Sequence, residues 1–511
     1  MSRALVVTAD VLRPQMAGPA MRAWALAHQL APSNEVRLVT TSPYCELDGE
    51  GFSTGAVDAA GLAEAEAWAD VLVLQGYVTH HHPFLARSEK HIVFDVYDPL
   101  HLETLALTRG TVSQARDDHV RLSVETLNFQ LRRADFLICA SERQRDLFIG
   151  QLCALGRANP RTYDDDPTLR RLIDVVPFGL PDDPPRHRRP ALRGVVPGIG
   201  ADDDVLVWAG GVYDWFDPLT LVRAVGRLAR RRPGVRLYFM GLRHPNPDVP
   251  EMAMSTATRA LADELGLTGR HVFFNEGWVA YADRENYLTE ATLGVTCHFA
   301  SAETHFSFRT RALDYLWAGL PMVTTEGDSF ADLVVEEGLG LSVPPEDPEA
   351  LEAALARLLE DHELAENCRR RAAALRGRFR WSNVTKPLEE FCRSPRRAPD
   401  LVLPLPSGDL AGPAPAPSVA EPAQVAEPAG PATAGPGGPA GREGEEGPAG
   451  PQSEPPPAPR PRSGWLTAAR LAYEQGGPAR VARRAALALA RRAAERLEAA
   501  PGPEGAGRSR R

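Results

Sequence analysis

Residues 303–321 read ETHFSFRTRALDYLWAGLP, and this stretch carries the pattern that decides the fold class. An apolar run typical of a buried strand, Leu293–His298, comes shortly before it. Apolar residues then recur at three-to-four spacing from Leu313 to Trp317, which predicts a helix with one buried face. A glycine and a proline follow, and both stop a helix. The stretch therefore indicates a strand–loop–helix unit of an α/β protein.

Four charged residues gather at this junction: Glu303, Arg309, Arg311 and Asp314. Ligands of α/β sheets bind beyond the carboxyl ends of the strands. The helix is expected to begin near Ser307–Arg309, where free N–H groups and arginine forks favour a phosphate. Residues two apart on a helix diverge by about 200°, so only one arginine faces the ligand unless Arg309 lies in the loop. The alternative is that Arg311 and Asp314 form an ordinary surface ion pair.

The same alternation of short strands and longer helices extends along most of the chain. Strands are expected at Ala4–Asp10, Val36–Thr41, Val71–Gln75, Ile92–Val96, Phe136–Ala140, Val205–Ala209, Val235–Met240, Val272–Phe274, Leu293–His298, Met322–Thr325 and Leu341–Val343. Helices are expected at Met21–Leu30, Val120–Arg133 and Asp347–Leu359. Near-continuous apolar strands separated by helices predict parallel sheets that are buried on both faces.

A proline- and glycine-rich break at residues 175–185 divides the strands into two series. Two series imply two Rossmann-like, doubly wound lobes around a cleft. We expect an N-terminal domain at 1–178 and a second domain at 179–394, whose last helix returns to the first lobe.

The composition changes after the second lobe. Residues 395–463 are mostly Pro, Ala, Gly and Glu, which predicts a disordered linker because too little apolar area is available for burial. Residues 464–511 are rich in alanine and arginine. That segment is typical either of a weak helix contacting an anionic membrane or acidic partner, or of a solvated tail.

The totals exclude several classes of protein. The 511 residues carry a net charge of -10, which argues against a nucleic-acid partner. The six cysteines form no CxxC pair, no signal peptide opens the chain, and no apolar run approaches the roughly 20 residues that span a bilayer. We therefore expect a reduced, cytoplasmic protein, peripheral to the inner membrane face if the tail binds lipid. The run His80-His81-His82 is not predicted to bind metal, because adjacent loop residues rarely converge on one ion.

Loops after other predicted strands supply further candidates. Gly18 precedes a helix, and Gly210 and Gly211 end a buried strand, so a nucleotide or phosphate can approach bare backbone there. Asp98 and His101 follow the fourth strand, and polar residues at a strand end suit the lining of a cleft. The alternatives are plain tight turns at the glycines and helix capping by Asp98.

These residues together resemble a known family. The chain resembles a GT-B glycosyltransferase of the large retaining family 4, similar to bacterial cell-surface polysaccharide enzymes. The resemblance covers roughly residues 1–392. It is carried by Glu303, Asp314, Ala318-Gly319-Leu320-Pro321, Val323-Thr324-Thr325, Gly327, Val343-Pro344, the Gly18 loop, Ala140-Ser141-Glu142 and the hinge Val176-Pro177-Phe178-Gly179.

The resemblance implies an activity and roles for individual residues. A hexose would pass from a nucleotide diphosphate-sugar, bound by the second lobe, to a glycan, lipid-linked or small-molecule acceptor in the first. Glu303 would lie beside the transferred sugar, and Asp314 would hold the ribose hydroxyls. The base would be read near Gly277-Trp278, largely through the backbone. No metal or other cofactor would be needed, and the anomeric configuration would be retained.

The chain departs from the family pattern at three points. The two acids are eleven residues apart instead of eight, the second is Asp where Glu is common, and Val212 follows Gly211 where an arginine and lysine are usual. We hypothesise that Arg309 or Arg311 supplies the missing charge for the phosphates. Two other readings remain open: a non-catalytic protein that binds nucleotide-sugar or partners, and a sugar-nucleotide epimerase or phosphorylase of the same fold.

Overall fold

The computed structural model describes residues 1–110 and 112–401. The basic tail predicted at 464–511 and most of the predicted linker lie outside the described residues. Within the described ranges the strands form two parallel sheets. No helix in these ranges is both long and apolar enough to cross a membrane.

The first sheet has seven strands in the order β3-β2-β1-β4-β5-β6-β7. Its strands are β1 Arg3–Thr8, β2 Glu35–Thr40, β3 Ser53–Ala56, β4 Val71–Gln75, β5 His91–Asp95, β6 Phe136–Cys139 and β7 Ile173–Val175. The inner strands consist almost entirely of buried residues, as expected for a parallel sheet covered on both faces.

The second sheet has six strands in the order β10-β9-β8-β11-β12-β13. Its strands are β8 Asp204–Trp208, β9 Val235–Phe239, β10 Val272–Phe274, β11 Leu293–Thr296, β12 Met322–Thr325 and β13 Gly340–Val343. In both sheets the strand order reverses beside the first strand, between β1 and β4 and between β8 and β11. Such a switch point opens a crevice at the carboxyl ends of the strands.

Helices connect these strands and cover both sheets. In chain order they are α1 Gly18–Leu30, α2 Ala59–Trp68, α3 Val78–His81, α4 Leu100–Leu107, α5 Gln114–Arg133, α6 Glu142–Ala154, α7 Pro160–Asp165, α8 Pro218–Leu228, α9 Ala253–Glu264, α10 Arg284–Glu290, α11 Ala302–Phe306, α12 Thr310–Ala318, α13 Ser329–Glu336, α14 Pro348–Glu360, α15 His362–Leu375, α16 Trp381–Val384 and α17 Lys386–Arg393.

The expected two-lobed α/β architecture is confirmed, and the elements that were not expected include β3, β7 and α3. Strand β3 contains a glycine and few apolar residues, so it carries no strand pattern, and β7 is only three residues long. The histidine run was expected in a loop, yet its first two residues belong to α3. The expected boundary at 178/179 falls between the end of β7 and the start of β8.

The chain returns to the first lobe after α15. The ring of Phe391 stacks on Phe136 of β6 with centroids 5.0 Å apart. Residues 395–400 were expected to belong to the linker, yet they pack on the first lobe. Asp400 accepts hydrogen bonds from Arg157 Nε at 2.7 Å and Nη2 at 3.2 Å, and Ala398 is buried. Composition alone does not reveal these specific pairings.

Candidate functional site

A cleft of about 290 Å³ lies between the lobes, at the carboxyl ends of both sheets. The first lobe contributes the Gly18 loop and the segment after β5, and the second contributes the loop after β8 and the start of α12. This volume is near the lower end of the range for small-molecule sites. Eight of the predicted site residues line the cleft: Gly18, Asp98, Gly210, Gly211, Trp278, Arg309, Arg311 and Asp314.

The start of α12 faces this cleft. Arg309 is the N-cap residue and therefore lies in the loop, so it does not diverge from Arg311 as two helical residues would. No side chain caps the helix; the Ala312 amide already donates to the Arg309 carbonyl at 3.1 Å, so the amides of Thr310 and Arg311 are the ones available to an anion. Both arginines reach the cleft, as the sequence allowed if Arg309 preceded the helix.

Arg311 is the more available of the two cations. Its side chain is buried, and one terminal nitrogen donates to the Gly211 carbonyl at 2.7 Å. The guanidinium lies over the rings of Trp208 and Phe216, at 4.1 and 4.0 Å from their centroids. The other terminal nitrogen, Nη1, has no hydrogen-bond partner. Burial lowers the pKa of Arg311 to about 10, so the group stays charged at neutral pH.

Arg309 is held by Glu303. Its two terminal nitrogens donate to the two carboxylate oxygens at 3.0 and 2.8 Å. Glu303 is only 2% exposed, and it also accepts a hydrogen bond from the Ser307 hydroxyl. It lies behind Arg309 and lines a smaller adjoining cavity instead of the main cleft. The sequence did not reveal this pairing, because it depends on α11, a short helix that takes up the longer spacing before Asp314.

Asp314 lies in α12 and lines the cleft. The ion pair with Arg311 considered from the sequence is absent, since Asp314 instead accepts a hydrogen bond from Arg284 Nε at 3.1 Å. Arg284 belongs to α10, a different segment of the second lobe. It was not identified from the sequence, where no motif connects positions thirty residues apart.

The glycines after β8 allow close packing around the cleft. Gly210 has a φ of 79°, in the left-handed region that favours glycine. A Cβ at Gly211 would meet both the Trp278 and Tyr213 rings at 2.9 Å. Trp278 donates from its indole to the Met16 carbonyl of the first lobe at 3.1 Å. Gly277 does not line the cleft; its carbonyl accepts from the Leu242 amide.

On the acceptor side, Asp98 faces the cleft together with Glu103, which the sequence did not single out. Asp98 does not cap α4, whose N-cap residue is Pro99. Its carboxyl lies within hydrogen-bonding reach of the Glu103 carboxyl. Burial is the main cause that raises the pKa of Asp98 to about 7, and burial and Asp98 raise the pKa of Glu103. Two such carboxyls tend to share one proton.

The remaining candidate of the first lobe is His101, which does not line the cleft. Burial lowers its pKa, and its Nδ1 has no partner. The second lobe adds His244, which lines the cleft. Burial lowers the pKa of His244 while Asp10 of the first lobe raises it, so the two groups interact across the lobes. His244 was not identified from the sequence, because a single polar residue in a loop gives no signal.

Aromatic rings make up much of the cleft wall. They come from both lobes and are Tyr97, Phe178, Tyr213, Trp215, Phe216, Trp278, Tyr281, Phe308 and Trp381. Tyr213 and Trp215 stack with centroids 4.9 Å apart and nearly parallel planes. Among the described residues, no group of three or more His, Cys, Asp or Glu side chains is arranged to hold a metal ion. The groups suited to an anion are instead Arg311 and the start of α12.

Comparison with known families agrees with this arrangement. Residues 203–361, most of the second lobe, match the family described as glycosyl transferases group 1. A D-inositol 3-phosphate glycosyltransferase of Saccharomonospora viridis is 27% identical over 382 residues, which cover 72% of this chain and 81% of the relative.

Solved structures share the fold at low sequence identity. Sucrose-phosphate synthase from Thermosynechococcus elongatus is 18% identical with a TM-score of 0.55, covering 77% of this chain and 98% of that one. Anabaena Alr3699/HepE, solved in complex with UDP-glucose, is 15% identical with a TM-score of 0.55, covering 77% and 100% of the two chains. The chain therefore has the GT-B fold, and its second lobe carries a group 1 glycosyl transferase domain at residues 203–361.

Proposed function

We propose that the enzyme transfers a hexose from a nucleotide diphosphate-sugar to a glycan, lipid-linked or small-molecule acceptor held by the first lobe. The configuration at the anomeric carbon is retained, and no metal is required. The observation that carries the proposal is the unpartnered Nη1 of buried Arg311, at the uncapped start of α12. A fixed cation with a free donor in a cleft suits an anionic ligand.

The reaction explains why positive charge is needed at this place. When the bond between the sugar and the diphosphate breaks, negative charge develops on the leaving oxygen. Arg311 and the first-turn N–H groups of α12 are already oriented, so they stabilise that charge without reorganising. Arg309 is neutralised by Glu303, and it contributes chiefly by shaping the site. The Anabaena protein, which shares this fold, is solved in complex with UDP-glucose, and this supports a nucleotide-sugar donor.

The acceptor side differs in charge. Asp98 and Glu103 place carboxyl groups on the first-lobe wall, within the same cleft as Arg311. In our proposal this wall accepts hydrogen bonds from acceptor hydroxyls, while the cationic wall holds the diphosphate. The acceptor thus binds the wall that carries carboxyl groups, and the donor diphosphate binds the wall that carries Arg311.

The test begins with a thermal-shift panel of UDP-, GDP- and ADP-linked hexoses. A donor at a hundred times its Kd stabilises the fold by about 2.7 kcal/mol, so the true donor stands out. With that donor, Arg311→Ala is expected to lower kcat/KM by a factor of a hundred or more, in line with the loss of one transition-state donor. Arg309→Ala should lower it less. If both variants turn over like the wild type, the phosphate assignment is wrong.

Retention and metal independence are tested separately. Proton NMR of the first-formed product should show the same anomeric configuration as the donor. Turnover should be unchanged after dialysis against EDTA. A product of inverted configuration, or activity restored only by a divalent ion, would contradict these two parts of the proposal while leaving glycosyl transfer intact.

A further inference from the structure

Asp314 has one engaged oxygen and one that is free for a ligand. It follows Arg311 by one helical turn in α12, and its side chain is 28% exposed. Arg284 Nε donates to Oδ1 at 3.1 Å, and within the described residues nothing donates a hydrogen bond to Oδ2. The carboxylate is therefore anchored on one side and presented to the cleft on the other.

Arg284 is itself held on several sides. Its Nη1 donates to the Tyr281 carbonyl at 2.6 Å. Its guanidinium lies 3.6 Å from the centroid of the Tyr281 ring and 4.5 Å from that of Trp317. Tyr281 is anchored in turn, since its amide donates to the Pro14 carbonyl of the first lobe at 2.8 Å. Few rotamers are open to a buried arginine stacked between two rings.

This arrangement fixes a side chain that would otherwise be mobile. An aspartate at a cleft wall must lose rotamer freedom when it binds a ligand, and that loss opposes binding. The hydrogen bond from Arg284 already holds the Asp314 side chain in one rotamer in the free protein. The engaged oxygen also orients the free one, because the carboxylate is planar.

We infer that Arg284 is a positioning residue for the donor: it holds Asp314 so that Oδ2 accepts hydrogen bonds from the ribose hydroxyls. The inference rests on the proposed function, since it assumes a nucleotide in the cleft. Arg284 contacts neither the sugar nor the phosphates in this account. Its effect is confined to recognition of the ribose, through Asp314.

The test compares ribonucleotides with their deoxy forms. Calorimetry gives the Kd of UDP, 2′-deoxy-UDP and 3′-deoxy-UDP, or of the GDP or ADP set if that base gives the larger thermal shift. The wild type should bind the ribonucleotide at least tenfold more tightly than one deoxy form. Asp314→Asn and Arg284→Gln should each bring that ratio to within threefold of one, and Arg284→Lys should restore part of it.

The matched control is Arg232→Gln. Arg232 donates to Asp204 Oδ2 at 2.6 Å in the same lobe and does not line the cleft. Its variant should keep the wild-type ratio. If Arg284→Gln lowers the melting temperature but leaves the ratio unchanged, Arg284 only joins α10 to α12 and the inference is overturned. If no nucleoside diphosphate binds the wild type, the proposed function fails instead, which is a separate result.

Discussion

At the level of single residues, the short helix α11 determines which of two arginines is paired with a carboxylate. From the sequence, either Arg309 or Arg311, both close to the start of a helix, could supply the charge for the phosphates. In the structure α11 places Glu303 in the interior. Its carboxylate accepts two hydrogen bonds from Arg309 and neutralises that arginine. Arg311 keeps a free nitrogen because its guanidinium lies over the rings of Trp208 and Phe216 and not against a carboxylate.

The Glu303–Arg309 pair predicts a coupling in stability. Glu303→Gln and Arg309→Gln each leave a buried charge without its partner, which costs roughly 3–5 kcal/mol. The double variant should cost clearly less than the sum, since neither charge then remains. Urea unfolding of the four proteins measures this. Additive costs would mean that the two side chains do not interact in solution.

The Asp98–Glu103 pair predicts how stability changes with pH. With the pKa of Asp98 near 7 in the folded protein and near 4 when unfolded, the folded state binds more protons between these values. Unfolding free energy therefore falls as pH rises through that window, by at most about 1.4 kcal/mol per pH unit from this group. Asp98→Asn should flatten the curve. The control Asp118→Asn, in an exposed ion pair, should leave the slope unchanged; equal slopes for wild type and Asp98→Asn would refute the shift.

At the scale of elements, the loop after β8 contains no arginine or lysine. It offers bare backbone at Gly210 and Gly211, and it places Tyr213 and Trp215 against the cleft. In the proposed function the charge for the phosphates comes instead from Arg311 of α12, which donates a hydrogen bond to the Gly211 carbonyl of this loop. The loop after β8 and α12 are therefore coupled, and we expect a change in the loop to shift the Arg311 guanidinium.

The coupling between the loop and Arg311 is tested with a pair of glycine variants. In Gly211→Ala the new Cβ meets two aromatic rings at 2.9 Å, so the loop or the rings must shift. In Gly277→Ala the nearest atom is 4.0 Å away. We expect the first to raise the donor KM tenfold or more and the second to change it less than twofold, by steady-state kinetics. A Gly211→Ala enzyme with unchanged KM would show that the donor does not approach this loop.

At the scale of the whole molecule, the segment 395–400 packs on the first lobe. The pair Arg157–Asp400 is only 7% exposed on both sides, and Arg157 also donates to three backbone carbonyls. Asp400→Asn leaves Arg157 charged and buried, and should cost about 3 kcal/mol of unfolding free energy. Asp118→Asn, whose side chain is 55% exposed, should cost less than 1 kcal/mol. Equal costs would mean that the segment detaches in solution.

The sequence predicted the parts that depend on local pattern. Strand periodicity, the α12 segment with Gly319 as its C-cap, and the break between lobes all follow from neighbouring residues. It did not predict pairings across long separations, such as Arg284 with Asp314, Asp98 with Glu103 or Arg157 with Asp400. Those depend on which surfaces the fold brings together, and no local pattern records that.

The most direct test of the account is the affinity of the cleft for phosphates with and without Arg311. Calorimetry compares a nucleoside with its diphosphate on the wild type and on Arg311→Met, which keeps the buried apolar stem. We predict that the diphosphate binds the wild type at least a hundredfold more tightly than the nucleoside, and that Arg311→Met loses at least tenfold of this gain while nucleoside affinity is unchanged. An Arg311→Met protein that keeps the full gain would contradict the account.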